Sequence, residues 1–184
     1  HAKFSGKTLT YFDEERKEHV VPFVVEPAAG VDRALLAFLA DAYREEEVRG
    51  EKRVVLRFHP ELAPVKVAIL PLLKKRDEIV RTCHAIRDEL SERWSVAYDD
   101  TAAIGRLYRR QDEVGTPFCV TIDVQTVGDR DKGEAGDDRV TIRDRDSMEQ
   151  IRVPRAELTG VFQELLGGGA WARVAARFGA TAGA

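Results

Sequence analysis

The sequence has no long apolar run, very few sulfur-containing residues and no excess of basic charge. Its 184 residues include 2 cysteines and 1 methionine. No apolar stretch approaches the roughly 20 residues that a membrane-spanning helix needs, and the first residues lack a signal-peptide pattern. Cys83 and Cys119 are far apart and have no partner at metal-ligand spacing. We therefore expect no protein metal site, no membrane partner and a reducing, cytoplasmic location.

The balance of charges excludes a uniformly basic nucleic-acid binder. Lys and Arg number 29 against 32 Asp and Glu, which gives a formal net charge of −3 at pH 7. Such a value still allows a local basic patch. The length is sufficient for one ordinary domain and part of another. Because the chain starts at His1 and not at Met, we interpret its beginning as a cut through a longer chain.

The first 47 residues have the pattern of a hairpin followed by a helix. Residues 8–12 and 18–25 are predicted strands, because they are rich in β-branched and aromatic side chains. Apolar residues then recur at helical spacing, which predicts a helix over residues 31–47. Such a unit cannot bury both of its faces alone, so we expect it to end a larger antiparallel-sheet domain. Residues 48–62 are interpreted as a linker.

From residue 63 onward the strand and helix patterns alternate. The predicted strands are residues 65–70, 94–98, 117–124, 140–145 and 150–153, and the predicted helices are residues 77–93, 103–114 and 155–166. This order predicts an α/β domain over residues 63–166, with a five-stranded mixed sheet flanked by helices; the fold is α+β overall. Residues 128–138 are a predicted mobile hairpin loop. Residues 167–184 are a predicted Gly-rich linker with a short tail helix.

The junction between the early strand and the helix carries residues that indicate a ligand. Glu26 precedes a proline and a small-residue elbow, and Gly30 allows close approach to the backbone. Arg33 in the first helical turn opposes the helix dipole unless an anion lies nearby. A buried carboxylate at Glu26 beside this arginine suggests a site for a small ammonium-bearing ligand next to a polyphosphate. The alternative is a packing elbow without a ligand.

Two sets of arginines are candidates for RNA contact. Arg106, Arg109 and Arg110 have the i, i+3, i+4 spacing of one helix face. Arg143 and Arg145 alternate onto one face of a strand. The alternative is that both sets are solvated or paired with carboxylates close in sequence. Those carboxylates are Asp112, Glu113, Asp144 and Asp146.

Residues 26–33 (EPAAGVDR) resemble the third signature motif of class II aminoacyl-tRNA synthetases. The stretches YFD at 11–13, LAFL at 36–39 and DAY at 41–43 are similar to the bacterial-type dimeric glycyl-tRNA synthetase family. Residues 62–68, 104–119 and 143–150 resemble the anticodon-binding domain of that family. The resemblance implies that residues 1–47 are the end of a class II catalytic core and that residues 63–166 are the anticodon-binding domain.

The resemblance implies ATP-dependent attachment of glycine to its tRNA, through glycyl-adenylate, by a homodimer. It implies that Glu26 binds the glycine ammonium group and that Arg33 binds the γ-phosphate of ATP. The residues assigned to the glycine pocket are Glu26, Pro27, Ala28, Ala29 and Gly30. Those assigned to ATP are Gly30, Val31, Asp32 and Arg33. The arginines assigned to tRNA are Arg106, Arg109, Arg110, Arg143 and Arg145.

Some features of the family are not found in this sequence. The first two class II motifs are absent, so we expect this chain alone to be inactive, with Mg²⁺ accompanying ATP in the full enzyme. Ala28 stands where many relatives carry Ser. One alternative function is a non-catalytic nucleic-acid accessory module built on an anticodon-binding fold. Another is a class II synthetase for threonine, proline or histidine, which the carboxylate at Glu26 disfavours.

Overall fold

The computed structural model describes residues 1–129 and 132–180, in two compact units, His1–Leu35 and Leu36–Ala184. Residues 130–131 of the predicted loop and residues 181–184 of the predicted tail lie outside the described residues. Within the described part of the chain, none of the helices combines the length and the apolar character needed to cross a membrane.

The first unit is a small hairpin followed by an extended segment. Helix α1 (Ala2–Ser5) precedes strands β1 (Tyr11–Asp13) and β2 (Glu18–Val20), which pair in antiparallel register. The prediction that the second strand continues to residue 25 is wrong, since residues 21–29 have no regular secondary structure and are exposed. Their β-branched side chains favour a strand, but no strand of the described chain pairs with them.

The chain after the motif forms a shorter helix than the sequence predicts. Helix α2 (Val31–Ala42) ends before the predicted end at residue 47, and the chain continues directly into strand β3 (Tyr43–Val48). Strand β3 pairs with β4 (Glu51–Leu56) around the two-residue turn Arg49–Gly50. Both turn residues have positive φ, 54° and 78°, as a tight hairpin turn with left-handed residues requires. Half of the predicted linker is therefore a strand.

The two-residue period explains why this segment is a hairpin and not a helix end. Glu46 and Val48 of β3 lie on the same face as Arg53 and Val55 of β4, and the latter two are buried. The opposite face carries Glu45, Glu47 and Lys52, which are exposed. Such alternation buries one face of a two-stranded sheet against the rest of the unit.

The second unit contains the predicted five-stranded mixed sheet. In chain order its elements are β5 (Val67–Pro71), α3 (Asp77–Ser91), β6 (Val96–Tyr98), α4 (Ile104–Val114), β7 (Phe118–Ile122), α5 (Val124–Val127), β8 (Gly128–Asp129), β9 (Glu134–Ala135), β10 (Arg139–Asp144), β11 (Gln150–Pro154), the 3₁₀ turn Arg155–Glu157, α6 (Leu158–Leu166) and α7 (Trp171–Phe178). The sheet order is β11-β10-β7-β5-β6. Strand β5 is parallel to both of its neighbours, β6 and β7. Strand β10 is antiparallel to both of its neighbours, β7 and β11.

Helices cover both faces of this sheet. One face packs against α3, α6 and α7 and contains the larger cluster of buried apolar side chains, with Phe162 fully buried. The other face packs Ala68, Leu70 and Cys119 against Leu107 of α4. The tail helix α7 packs on the larger cluster, where the Trp171 ring stacks on Phe118. Phe118 is thus a core residue, and α4 is the helix that covers the second face.

Candidate nucleic-acid interface

A cleft of about 620 Å³ separates the turn of the β3–β4 hairpin from helix α4. Among the described residues, the arginines that line this cleft are Arg49, Arg53, Arg106, Arg109 and Arg143. Asp112 and Glu51 are acidic residues in the same lining. Positive side chains therefore outnumber negative ones, and a concave surface of this kind concentrates anions.

The floor of the cleft is a buried ionic network centred on one carboxylate. Asp112 of α4 is 2% exposed and accepts hydrogen bonds from Arg53 Nε (2.9 Å), Arg143 Nη1 (2.9 Å) and Arg143 Nη2 (3.2 Å). Arg53 also donates to Glu46 Oε2 (2.8 Å) and to the carbonyl oxygen of Arg145 (2.5 Å). Burial disfavours the charge on Arg53, but the hydrogen bond and charge of Asp112 outweigh it and raise the pKa of Arg53. The Arg53 guanidinium is thus charged, and its hydrogen bonds and those of Arg143 fix both groups in position.

An aromatic ring borders the inner side of this network. The guanidinium of Arg143 lies 4.8 Å from the centroid of the Tyr108 ring, at cation–π distance. The Tyr108 hydroxyl shares a hydrogen bond of 2.6 Å with Thr121 Oγ1. Burial raises the pKa of Tyr108 to about 12, so the hydroxyl stays neutral at physiological pH. Tyr108 and Arg143 therefore give the cleft a fixed planar surface next to a positive charge.

The structure divides the predicted arginine stripe of α4. Arg106 and Arg109 are exposed and line the cleft, and Arg109 forms an ion pair with Glu51 across it. Arg110 instead donates to Asp99 Oδ2 (3.0 Å) and Thr101 Oγ1 (2.5 Å). Burial opposes ionisation of Asp99, but hydrogen bonds from Thr101 and Arg110 hold its pKa below the usual value. Arg106 and Arg109 are the members of the stripe that face the cleft.

The second predicted pair, on strand β10 and just beyond it, is buried. Arg143 reaches the cleft floor through Asp112, as described above. Arg145 is 3% exposed and donates to the carbonyl oxygens of Gly115 and Phe58, both at 2.9 Å, and to Asp146. Its guanidinium therefore joins the chain after β4 to the C-terminal end of α4. The carboxylate pairing that the sequence left open holds for both arginines.

The motif at residues 26–33 lies at the start of α2. The Gly30 carbonyl accepts the first helical hydrogen bond from the Ala34 N–H (3.0 Å), and the aliphatic part of Arg33 lies 3.8 Å from the place of a Cβ on Gly30. The expectation that Glu26 is buried is wrong, because Glu26 and its neighbours are exposed. In this unit β1 and β2 form a two-stranded sheet, too small to cover the segment. Within residues 1–129 and 132–180, no cluster of three or more His, Cys, Asp or Glu side chains could hold a metal ion.

Comparison with known proteins identifies the unit that carries the cleft. Residues 66–165 match the anticodon binding domain family, a range that includes the five-stranded sheet and α4. The chain belongs to the anticodon binding domain family. The family range begins after β4, so the β3–β4 hairpin adds a cleft wall that lies outside the matched residues.

Several proteins named glycine–tRNA ligase are similar to nearly the whole chain. The protein from Corynebacterium efficiens is 50% identical over 173 residues, which is 91% of this chain and 36% of that protein. The protein from Caldanaerobacter subterraneus is 49% identical over 166 residues (90% and 34%), and that from Streptomyces coelicolor 47% over 173 residues (91% and 36%). The chain thus spans about a third of the length of these relatives. The predicted resemblance to glycyl-tRNA synthetases is confirmed.

The similarity to these relatives includes the motif at the start of α2. Because the match leaves out only about a tenth of the chain, it necessarily contains residues 26–33 as well as the β3–β4 hairpin.

Sequence reasoning missed two features of the cleft. The first is the hairpin wall, for which the sequence offers only Gly50, a residue type that readily adopts the positive φ of a tight turn. The second is the role of Asp112, which the sequence suggests only as a carboxylate partner for nearby arginines. Its pairing with Arg53, 59 residues away, has no local signal in the sequence.

Proposed function

We propose that this chain is the C-terminal part of a glycine–tRNA ligase, which uses ATP to attach glycine to tRNA through glycyl-adenylate. The observation that carries the proposal is 47–50% identity, over about nine-tenths of the chain, to proteins named glycine–tRNA ligase. A match confined to the anticodon binding domain would suit an accessory module equally well. The inclusion of residues 26–33 in the match favours the ligase.

The proposed roles of the motif follow from its chemistry. A carboxylate at Glu26 suits the ammonium group of glycine, and the planar guanidinium of Arg33 suits the oxygens of the ATP γ-phosphate. Arg33 lies in the first turn of α2, and its side chain passes along Gly30. The backbone from Glu26 to Gly30 would then form the glycine pocket, and residues 30–33 would face ATP. Mg²⁺ would accompany ATP, and we assign no ligand of that ion to this chain.

The cleft beside α4 is the proposed tRNA contact surface. Arg106 and Arg109 are exposed and suited to backbone phosphates. Tyr108 lines the cleft beside the buried Arg143 and offers a ring of the kind that single-stranded bases contact. The sequence also suggests Arg110 and Arg145 for tRNA contact, and we propose that they act by holding Asp99 and the end of α4 in place.

The domain assignment completes this proposal. Residues 1–47 would end the class II catalytic core, residues 48–62 would join it to the anticodon-binding domain at 63–166, and residues 167–184 would form a linker and tail. By the family resemblance the complete protein would be a cytoplasmic homodimer.

The proposal is tested by glycine-dependent ATP–pyrophosphate exchange in the complete ligase that carries this chain. Arg33→Ala should slow the exchange about 100-fold or more, because a fixed charge on the reacting phosphates is lost. Binding of tRNA should be unchanged. Arg16→Ala, an exposed arginine in the β1–β2 turn, is the matched control and should exchange normally. Normal exchange by Arg33→Ala would remove Arg33 from the ATP site.

A further inference from the structure

The turn of the β3–β4 hairpin forms one wall of the arginine-lined cleft. Val48, Arg49 and Glu51 are part of the lining, opposite Arg106 and Arg109 of α4. The turn contains two residues, both with positive φ, so its ends are held close together. The wall is therefore a short, well-defined edge and not a long loop.

Buried contacts hold this hairpin against α4. Val55 of β4 is fully buried, and Arg53 is 5% exposed and bonded to Asp112. Glu51 lies two residues before Arg53 and therefore points to the same face of the hairpin. The position of Glu51 over the cleft is thus set by its own strand.

The ion pair between Glu51 and Arg109 crosses the cleft but is not needed for its structure. The side chains of Arg109 and Glu51 are 52% and 66% exposed. Exposed pairs of this kind contribute little to folding, and the buried Arg53–Asp112 contact already anchors the hairpin. The pair places a carboxylate on the guanidinium that faces the cleft.

We propose that the hairpin is the second wall of an RNA-binding cleft and that Glu51 occupies, on Arg109, the place of an RNA backbone phosphate. A carboxylate and a phosphate present similar pairs of oxygens to a guanidinium, so one displaces the other without rearrangement of Arg109. Arg106 brings a further positive charge to the same cleft. Glu51 thus weakens RNA binding by competition. This inference rests on the proposed tRNA-binding function.

The test is fluorescence anisotropy of a labelled glycine tRNA transcript titrated with the 184-residue chain at low, fixed salt. Glu51→Gln should bind about two- to fivefold more tightly than the unmodified chain, as loss of one competing exposed ion pair predicts. Glu47→Gln removes the same charge from the opposite, exposed face of the same hairpin and should bind unchanged. Arg109→Ala should bind more weakly. In the Arg109→Ala background, Glu51→Gln should add nothing, because the competition is gone.

Each other outcome overturns a defined part of the account. If Arg109→Ala weakens binding but Glu51→Gln binds equally or more weakly than the unmodified chain, the competition by Glu51 is wrong while tRNA binding by the cleft stands. If Glu51→Gln and Glu47→Gln tighten binding equally, the effect is one of net charge and the inference is wrong. If the unmodified chain and all variants fail to bind the transcript, both the inference and tRNA binding by this chain are wrong.

Discussion

Arg53 of the hairpin and Asp112 of helix α4 are joined by a buried hydrogen bond of 2.9 Å, although 59 positions separate them in the sequence. The same carboxylate accepts hydrogen bonds from both terminal nitrogens of Arg143. One acidic group therefore compensates two buried guanidinium groups, with Glu46 as a second partner for Arg53. The cleft floor depends on this one side chain.

Removal of the Asp112 carboxylate should strongly destabilise the second unit. Asp112→Ala leaves Arg143 without its carboxylate partner and Arg53 with Glu46 as its remaining carboxylate partner, which we expect to cost about 3–5 kcal/mol of unfolding free energy. Urea denaturation of the 184-residue chain measures this. Glu113→Ala, an exposed neighbour on the same helix, should change stability by less than about 0.5 kcal/mol. Equal stability of the two variants would show that the ionic network around Asp112 does not stabilise the packing of the hairpin on α4.

Gly115 at the end of α4 should not tolerate a side chain. Its φ is +86°, and a Cβ there would lie 2.6 Å from Phe58 Cδ2 and 2.8 Å from the Leu56 carbonyl oxygen. Gly115→Ala should therefore lower the unfolding free energy by about 2–4 kcal/mol, through backbone strain and a clash with main chain. Gly160→Ala, in the first turn of α6 where a Cβ would meet no atom within 4 Å, should raise it by about 0.5–1 kcal/mol. Thermal unfolding measures the stability of both variants. Unchanged stability of Gly115→Ala would contradict the packing of the end of α4 against Leu56 and Phe58.

The two cysteines should be inert in the folded chain. Cys83 is fully buried, Cys119 is 1% exposed, and burial raises the pKa of each thiol to about 12. The reactive thiolate is therefore about a ten-thousandth of each thiol at pH 8, and its fraction rises only as the pH approaches 12. Iodoacetamide at pH 8 should leave both unmodified in buffer and alkylate both in urea, as mass spectrometry would show. Rapid alkylation of either in buffer would contradict the core described here.

The exposed arginines of α4 should determine the salt dependence of tRNA binding. Arg106→Ala and Arg109→Ala should each weaken binding and reduce the slope of log affinity against log salt by about 0.7–1, the loss of one phosphate contact. Arg110→Ala, on the same helix but bonded to Asp99 and Thr101, is the matched control with a smaller slope change. The same slope change in all three variants would contradict the proposal that Arg106 and Arg109, but not Arg110, contact RNA phosphates.

The five-stranded sheet could be predicted because its signals are local. The apolar run ending at Pro71 and the three- and four-residue spacing in α3 each define an element without reference to distant residues. The predicted strand at residues 21–25 failed because a strand needs a partner, and propensity does not show whether one is present. Glu26 is exposed for the same reason: no neighbouring strand in the described part of the chain covers the segment that carries it.

The hairpin and the cleft floor could not be predicted from local patterns. Glutamate has a high helix propensity, so the sequence predicts a helix through Glu45, Glu46 and Glu47. In the structure these residues belong to β3, and of the three only Glu46 lies on the inward face. The two-residue period of β3 and β4 identifies a hairpin only when the buried ion pair between Arg53 and Asp112 shows which face is inward. Such pairing depends on the tertiary fold.

The most direct test of the account compares two RNAs on the 184-residue chain. Binding of a glycine tRNA and of the same tRNA with a swapped anticodon would be measured at one fixed salt concentration, because phosphate contacts make affinity strongly salt-dependent. We predict that the chain binds the tRNA with the glycine anticodon more tightly than the tRNA with the swapped anticodon. Arg109→Ala should lower the affinity for both RNAs. Equal affinity for the two anticodons, or no binding of either, would contradict it.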